Sequence, residues 1–353
     1  MGSSTQQVDA LILGQGLAGT LLSFRMLQAG IDHVVVDRGH KRASSNVAAG
    51  IVNPVTGRRF VKAWKINELI QGLAIYEDLE RLLHVKLINQ ITVYRDLSEV
   101  SALNQWDMRR NDETYSAYMG KPRTDLQLPV RAPERVGPTL EAAQVNLREL
   151  ISNYRSFLRE KGYLIEADIN IDEVTQQGGR LRVGGFAARR IIDCTGAAAM
   201  SSNTWSKLPW RGTKGEAFRF SLKDMPRDLA LKVKHFICPI GEGDEVWLGA
   251  TNEDHFELDT PSSAGEERLR EQATAFEIAV PRHVEHLAAV RPTVKDRRPL
   301  VGQHPTISRL WLCNGLGTKG TSLGPYCTAN LLQAMQLKKT IDPEIDIANR
   351  FSV

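Results

Sequence analysis

Gly14-Gln15-Gly16-Leu17-Ala18-Gly19 is the stretch that decides the fold of this chain. The apolar run VDALIL (8–13) precedes it and reads as a buried strand. The segment 17–29 follows with helical periodicity and stops before Gly30, a C-cap position. HVVVD (33–37) then reads as a second buried strand, so the chain begins with a βαβ unit. In such a unit Gly14 permits the tight turn, Gly16 lets the backbone approach a pyrophosphate, and Gly19 permits close helix–strand packing. The free N–H groups of the helix, at Leu17 and Ala18, face the phosphates, aided by the helix dipole. Asp37 closes the second strand at the position of a ribose-binding carboxylate, with Arg38 beside it. Strand before, helix after and acid at the right distance predict dinucleotide binding.

Beyond this unit, residues 42–60 are rich in small residues and predict loop or short helix. An amphipathic helix is expected over 65–84 and another over 141–160. Residues 86–140 are mixed, with a strand-like LINQITVYR (87–95) and a polar, proline-containing stretch near 111–138. Strands are expected at YLIEA, LRVGGFAA and RIIDCTG, and an antiparallel sheet over 213–250. Residues 262–290 read as helix broken at Pro281, and 299–353 return to a strand, a glycine-rich turn and a helix. The expected class is α/β, α+β overall. It combines a dinucleotide-binding domain of 1–85, 141–205 and 286–353 with an inserted antiparallel-sheet domain of 86–140 and 206–285.

Three further segments carry a family resemblance. Ser44-Ser45-Asn46-Val47-Ala48-Ala49-Gly50-Ile51 is similar to the Ser-x-x-x-Ala-Gly segment that lies under the flavin in the D-amino-acid oxidase/glycine oxidase superfamily. Ile191-Ile192-Asp193-Cys194-Thr195-Gly196 resembles the strand ending in Thr-Gly that closes the FAD domain. The longest match is Arg291, Asp296, Pro299-Leu300-Val301-Gly302, a strand, and then Gly315-Leu316-Gly317-Thr318-Lys319-Gly320 before the last helix. Lys214-Gly215-Glu216 resembles the Arg-Gly-Gln that opens a strand of the substrate domain.

The resemblance implies a glutathione-reductase-like FAD domain and chemistry on a C–N bond. An amine carbon gives a hydride to flavin N5, the nitrogen loses a proton, and water hydrolyses the imine. Positioning does much of this work, so no catalytic acid or base is assigned. The turn 315–320 and the helix start at Thr321 would face the pyrimidine edge of the flavin, where charge accumulates on reduction. Arg291 is the expected partner of a substrate carboxylate, since a guanidinium offers two parallel hydrogen bonds. A second arginine of glycine oxidases would fall at Thr318, with Lys319 next to it. The turn is closer to that of the oxidase domain of the tRNA wobble-uridine enzymes, which cleaves a carboxymethyl group from an aminomethyl nitrogen. Modified tRNA is therefore an alternative substrate, and a flavin protein without turnover a third reading. Binding of FAD is expected to be non-covalent. The attachment cysteine of sarcosine oxidases would fall at Ala289, and His40 is too far from Ser44-Ser45 to serve.

Composition is that of an ordinary globular protein. The 353 residues are 42% hydrophobic and 24% charged, with a net charge of +4 from 45 basic and 41 acidic residues, far from a dedicated nucleic-acid binder. Basic pairs such as Arg58-Arg59, Arg109-Arg110, Arg189-Arg190 and Arg297-Arg298 are expected to be solvated faces. Cys194, Cys238, Cys313 and Cys327 form no CxxC and two lie in apolar strands, which predicts buried thiols and a reducing, cytoplasmic setting. MGSSTQQVDA lacks the basic start and apolar core of a signal peptide, and no run suits a membrane span. The eight histidines show no HxH or HExxH, and His283 and His286 are expected as a surface pair, so no metal site is expected.

Overall fold

A computed structural model describes residues 5–39 and 43–351; His40 lies outside the described residues. Two large sheets organise them. In the first, the strands run Leu300–Gln303, Leu310–Asn314, Phe186–Asp193, Gln6–Leu13, His33–Val36 and Leu164–Ile165. All neighbours are parallel except the first pair, and a small hairpin, Thr175–Gln177 with Arg180–Val183, hangs on Phe186–Asp193. The central strands are buried on both faces, which explains their continuous apolar runs. The helix Leu17–Gln28 packs on the last helix, Gly320–Leu337, and both cover one face of this sheet.

The second sheet runs Glu285–Arg291, Thr213–Ser221, Glu245–Gly249, Phe236–Pro239, Leu229–Lys232, Ile88–Asp96, Val136–Val145 and Ile51–Val52. It is antiparallel as expected, except that Leu229–Lys232 and Ile88–Asp96 are parallel. Its outer face carries Phe218, Leu231, Ile237 and Leu248 under the helix Ser263–Ala275. Its inner face carries Ala217, Ala230, Cys238 and Trp247, and packs on Ala49 and Ile51. That inner face is therefore turned toward the 44–51 segment.

Several local expectations give way to long-range pairing. The helix expected over 262–290 ends at Ala275, and Glu285–Arg291 is instead a strand paired with Thr213–Ser221. His286 consequently sits in a strand, its Nε2 2.7 Å from a Glu216 carboxylate oxygen, and is no member of a surface helix pair. The helix expected over 141–160 begins at Leu147, because Val136–Val145 pairs with Ile88–Asp96. Asn146 caps it by accepting from the Glu149 N–H. The helix expected over 65–84 is two helices, Ile66–Gln71 and Ala74–Leu83, broken at Gly72, where a Cβ would lie 3.0 Å from Pro325. Val100–Arg110 is a helix within the stretch read as mixed. The expected domain limits at 140/141 and 285/286 cut through strands of the second sheet.

Candidate active site

Four separate segments converge at the C-terminal ends of the first sheet's parallel strands. Gly14 has φ +94°, and a Cβ there would lie 2.7 Å from the Cys194 carbonyl oxygen, so the first turn rests on the end of Phe186–Asp193. A Cβ on Gly19 would lie 1.9 Å from the Gly14 carbonyl oxygen, which is the close packing the spacing predicts. Ser45 Oγ accepts from the Leu17 N–H at 3.0 Å and so ties the 44–51 segment to the helix start. Asn314 donates to the Gly196 carbonyl at 3.0 Å, and Gly320 packs toward Leu17, which brings in the 315–320 turn and Thr321. Thr195 donates from its N–H and hydroxyl to the buried Asp193.

Gly16 differs from its neighbours. Among the described residues, the only atom near a Cβ built on it is Ser45 Oγ, at 3.4 Å. The protein's own packing does not demand glycine there, and the N–H groups of Gly16 and Ala18 have no acceptor among the described residues. A pyrophosphate lying against the backbone suits both facts. Gly50 shows the reverse: it has φ +73°, and a Cβ would lie 1.9 Å from the Val145 carbonyl oxygen, so strand packing already demands it. Ser44 starts the short helix Ser44–Val47.

Asp37 accepts from the Gln15 N–H at 2.8 Å, the Gly39 N–H at 2.7 Å and Arg155 Nη1 at 2.7 Å. Arg155, from the helix Leu147–Glu160, is a site residue that the sequence did not reveal. Oδ1 takes the Gly39 and Arg155 bonds, whereas Oδ2 accepts from Gln15 alone among the described residues and keeps lone-pair capacity for a ribose hydroxyl. Arg38 points away, to an exposed ion pair with Asp168 at 2.9 Å.

Arg291 ends its strand on the inner face of the second sheet, beside Thr213. Its guanidinium lies across Gly215, where a Cβ would fall 1.9 Å from Nη2. The only acceptor it has among the described residues is the Thr251 carbonyl, at 3.3 and 3.4 Å. Burial lowers it to about 10, which leaves it charged at neutral pH. The 315–320 turn comes alongside: a Cβ on Gly317 would lie 3.2 Å from Thr293, two residues beyond Arg291. Thr318 is exposed there. Lys319 caps the last helix, and its ammonium is lowered by burial and by Arg298 and Arg297. No carboxylate pairs with Lys319 among the described residues. Trp247 donates to the Val47 carbonyl at 2.9 Å, locking the sheet's inner face to the 44–51 segment. The described residues hold no cluster of three metal-ligating side chains, and no helix among them is long and apolar enough to cross a membrane.

Parallel sheet, glycine cradle and facing antiparallel sheet define a flavin-dependent oxidoreductase. The family model for FAD-dependent oxidoreductases of the DAO type matches residues 9–334, and the chain belongs to that family. It is 24% identical to a glycine oxidase of Pseudomonas aeruginosa over 367 residues, covering 94% of this chain and 96% of that protein. The glycine oxidase structure from Bacillus cereus superposes with a TM-score of 0.78 at 15% identity, covering 98% and 99% of the two chains. An iminodiacetate oxidase from Chelativorans sp. gives 0.75 at 20% identity, covering 94% and 96%.

Proposed function

We propose that this enzyme oxidises the C–N bond of an amine that carries a carboxylate, an amino acid or an N-substituted amino acid. One observation carries the reading: the charged Arg291 guanidinium, seated over Gly215, has a single carbonyl and no carboxylate as partner among the described residues. A buried cation without a counter-ion is unfavourable, and a substrate carboxylate bound by both Nη groups resolves it. Named relatives that act on glycine and iminodiacetate support the same class.

Bound FAD supplies the two-electron acceptor. In this proposal the 14–19 turn, Ser45 and the 315–320 turn hold it without a covalent bond, Ala289 standing where an attachment cysteine would be needed. The protein does the rest by placement. Arg291 fixes the carboxylate, and the apolar inner face at Ala217 and Trp247 keeps water from the reacting carbon. Arg291 and Lys319 together lower the proton affinity of the substrate amine, which must be neutral to react. The carbon then loses its hydride and the nitrogen its proton, and water cleaves the imine.

The small-molecule reading is preferred to modified tRNA because several basic pairs are neutralised locally. Arg110 faces Asp107, Arg189 faces Asp9 and Arg298 faces Glu344. The buried thiols support a reducing, cytoplasmic setting. Arg291→Met tests the reading. FAD content is expected to stay unchanged while affinity for a carboxylate substrate falls; equal affinity in mutant and wild type would refute the role.

A further inference from the structure

Among the described residues, Arg291 is not the only cation on the inner face of the second sheet that lacks a carboxylate partner. Two other cations withdrawn from solvent have carboxylates beside them: Lys214 has Glu216 at 3.0 Å, and Arg155 has Asp37 at 2.7 Å. Arg95 and Lys232 have none among the described residues. Arg95 is 9% exposed, donates to the Gly57 carbonyl at 2.8 Å, and lies over the Phe60 ring. Lys232 stands directly opposite Arg95 in the parallel pair, donates to the Lys234 carbonyl at 2.7 Å, and lies over the Phe236 ring. Strand alternation puts both on the inner face. Leu229 and Leu231 point to the outer core and Ala230 inward, so Lys232 also points inward. Val93 points inward, and so does Arg95 two residues on.

Two like charges set side by side, Arg95 buried and Lys232 half-buried, with no carboxylate partner among the described residues, repel each other. Burial and the neighbouring Arg95 push the Lys232 ammonium down to about 8. The Arg291 guanidinium reaches the Thr251 carbonyl, just beyond the strand Glu245–Gly249. The strand of Lys232 lies two positions further across the sheet, about 10 Å away at the usual spacing. Between them the floor is apolar, with Trp247 and Phe236.

We propose that this face takes a dianionic amine: Arg291 binds the carboxylate beside the oxidised C–N bond, and Lys232, backed by Arg95, binds a second carboxylate or phosphate about 10 Å away. The inference rests on the amine-oxidising reading above and specifies its substrate class.

Two series of substrates test it with the FAD-loaded enzyme: N-alkylglycines, and N-(carboxyalkyl)glycines of matched and increasing chain length. The carboxyl-terminated compounds are expected to gain about 10-fold in kcat/KM, through KM, once the chain spans the gap, equivalent to about 1.4 kcal/mol. Lys232→Met should erase that preference, and Lys232→Arg should retain part of it. Flavin content and Tm report folding; removal of a half-buried cation without a carboxylate partner among the described residues should not lower Tm. Equal use of both series, or a preference that survives in Lys232→Met, overturns the second-anion site while leaving amine oxidation intact. If no member of either series bleaches the flavin, the amine-oxidising reading itself fails, and this proposal with it.

Discussion

Gly215→Ala should weaken carboxylate binding while leaving the protein folded. A Cβ at this position would fall 1.9 Å from Arg291 Nη2 and 2.3 Å from its Cζ, so the guanidinium must leave its seat. The backbone at Gly215 does not lie in the left-handed region, and it is opposed to Ala289 in a regular antiparallel pair, so alanine suits the strand itself. The clash is with the end of a flexible side chain, which can move. The stability change should therefore stay within about 1 kcal/mol, since alanine recovers some of the entropy that glycine costs. The loss falls on the ligand. Giving up charge-assisted hydrogen bonds to a carboxylate costs about 1.5–3 kcal/mol, or about 10- to 150-fold in Kd. The assay is titration of a non-oxidised carboxylate against the visible spectrum of the bound flavin, with Tm measured alongside. The matching amide should bind both proteins alike. Unchanged carboxylate affinity at unchanged Tm would refute the placement of Arg291 over Gly215 as the anion seat.

Other outcomes follow from the same geometry. Gly16→Val should fold with a near-native Tm yet retain no FAD, because the protein leaves room for a Cβ and the cofactor does not; a fully loaded mutant would show that the turn holds no pyrophosphate. Gly19→Ala should destabilise the apoprotein itself by several kcal/mol, read by denaturant unfolding, because its Cβ would meet backbone at 1.9 Å. Glu216 is opposed by burial, but Ser262 N–H and Oγ and Lys214 hold its pKa below the ordinary glutamate value. Its folded pKa being depressed, its stabilisation is present above the ordinary glutamate pKa and is lost as pH falls through the folded one. Wild type should therefore lose stability on acidification more steeply than Glu216→Gln, measured as ΔG of unfolding against pH; equal slopes would contradict the assignment.

The parts of this molecule that could be read from sequence are those fixed by local chemistry. The 14–19 turn announces itself because glycine positions, strand and helix are contiguous. The 315–320 turn and Arg291 were legible through the order of motifs. Glu285–Arg291 was not, because the run LAAV is too short and too rich in alanine to separate strand from helix without its partner Thr213–Ser221. The same holds for Val136–Val145, whose alanines favour helix until they pair with Ile88–Asp96. Arg155 lies 118 residues from Asp37, and no local signal joins them. Lys232 and Arg95 become neighbours only through sheet register. The glycine in Lys214-Gly215-Glu216 is part of a motif in the sequence, but its reason, the space for a guanidinium, exists only in three dimensions.

The most direct test of the central claim is the visible spectrum of the purified protein before and after anaerobic addition of N-substituted glycines and D-amino acids. The account predicts flavin bands that bleach with at least one carboxylate-bearing amine. Flavin bands that no such compound bleaches, or a protein that binds no flavin, would contradict it.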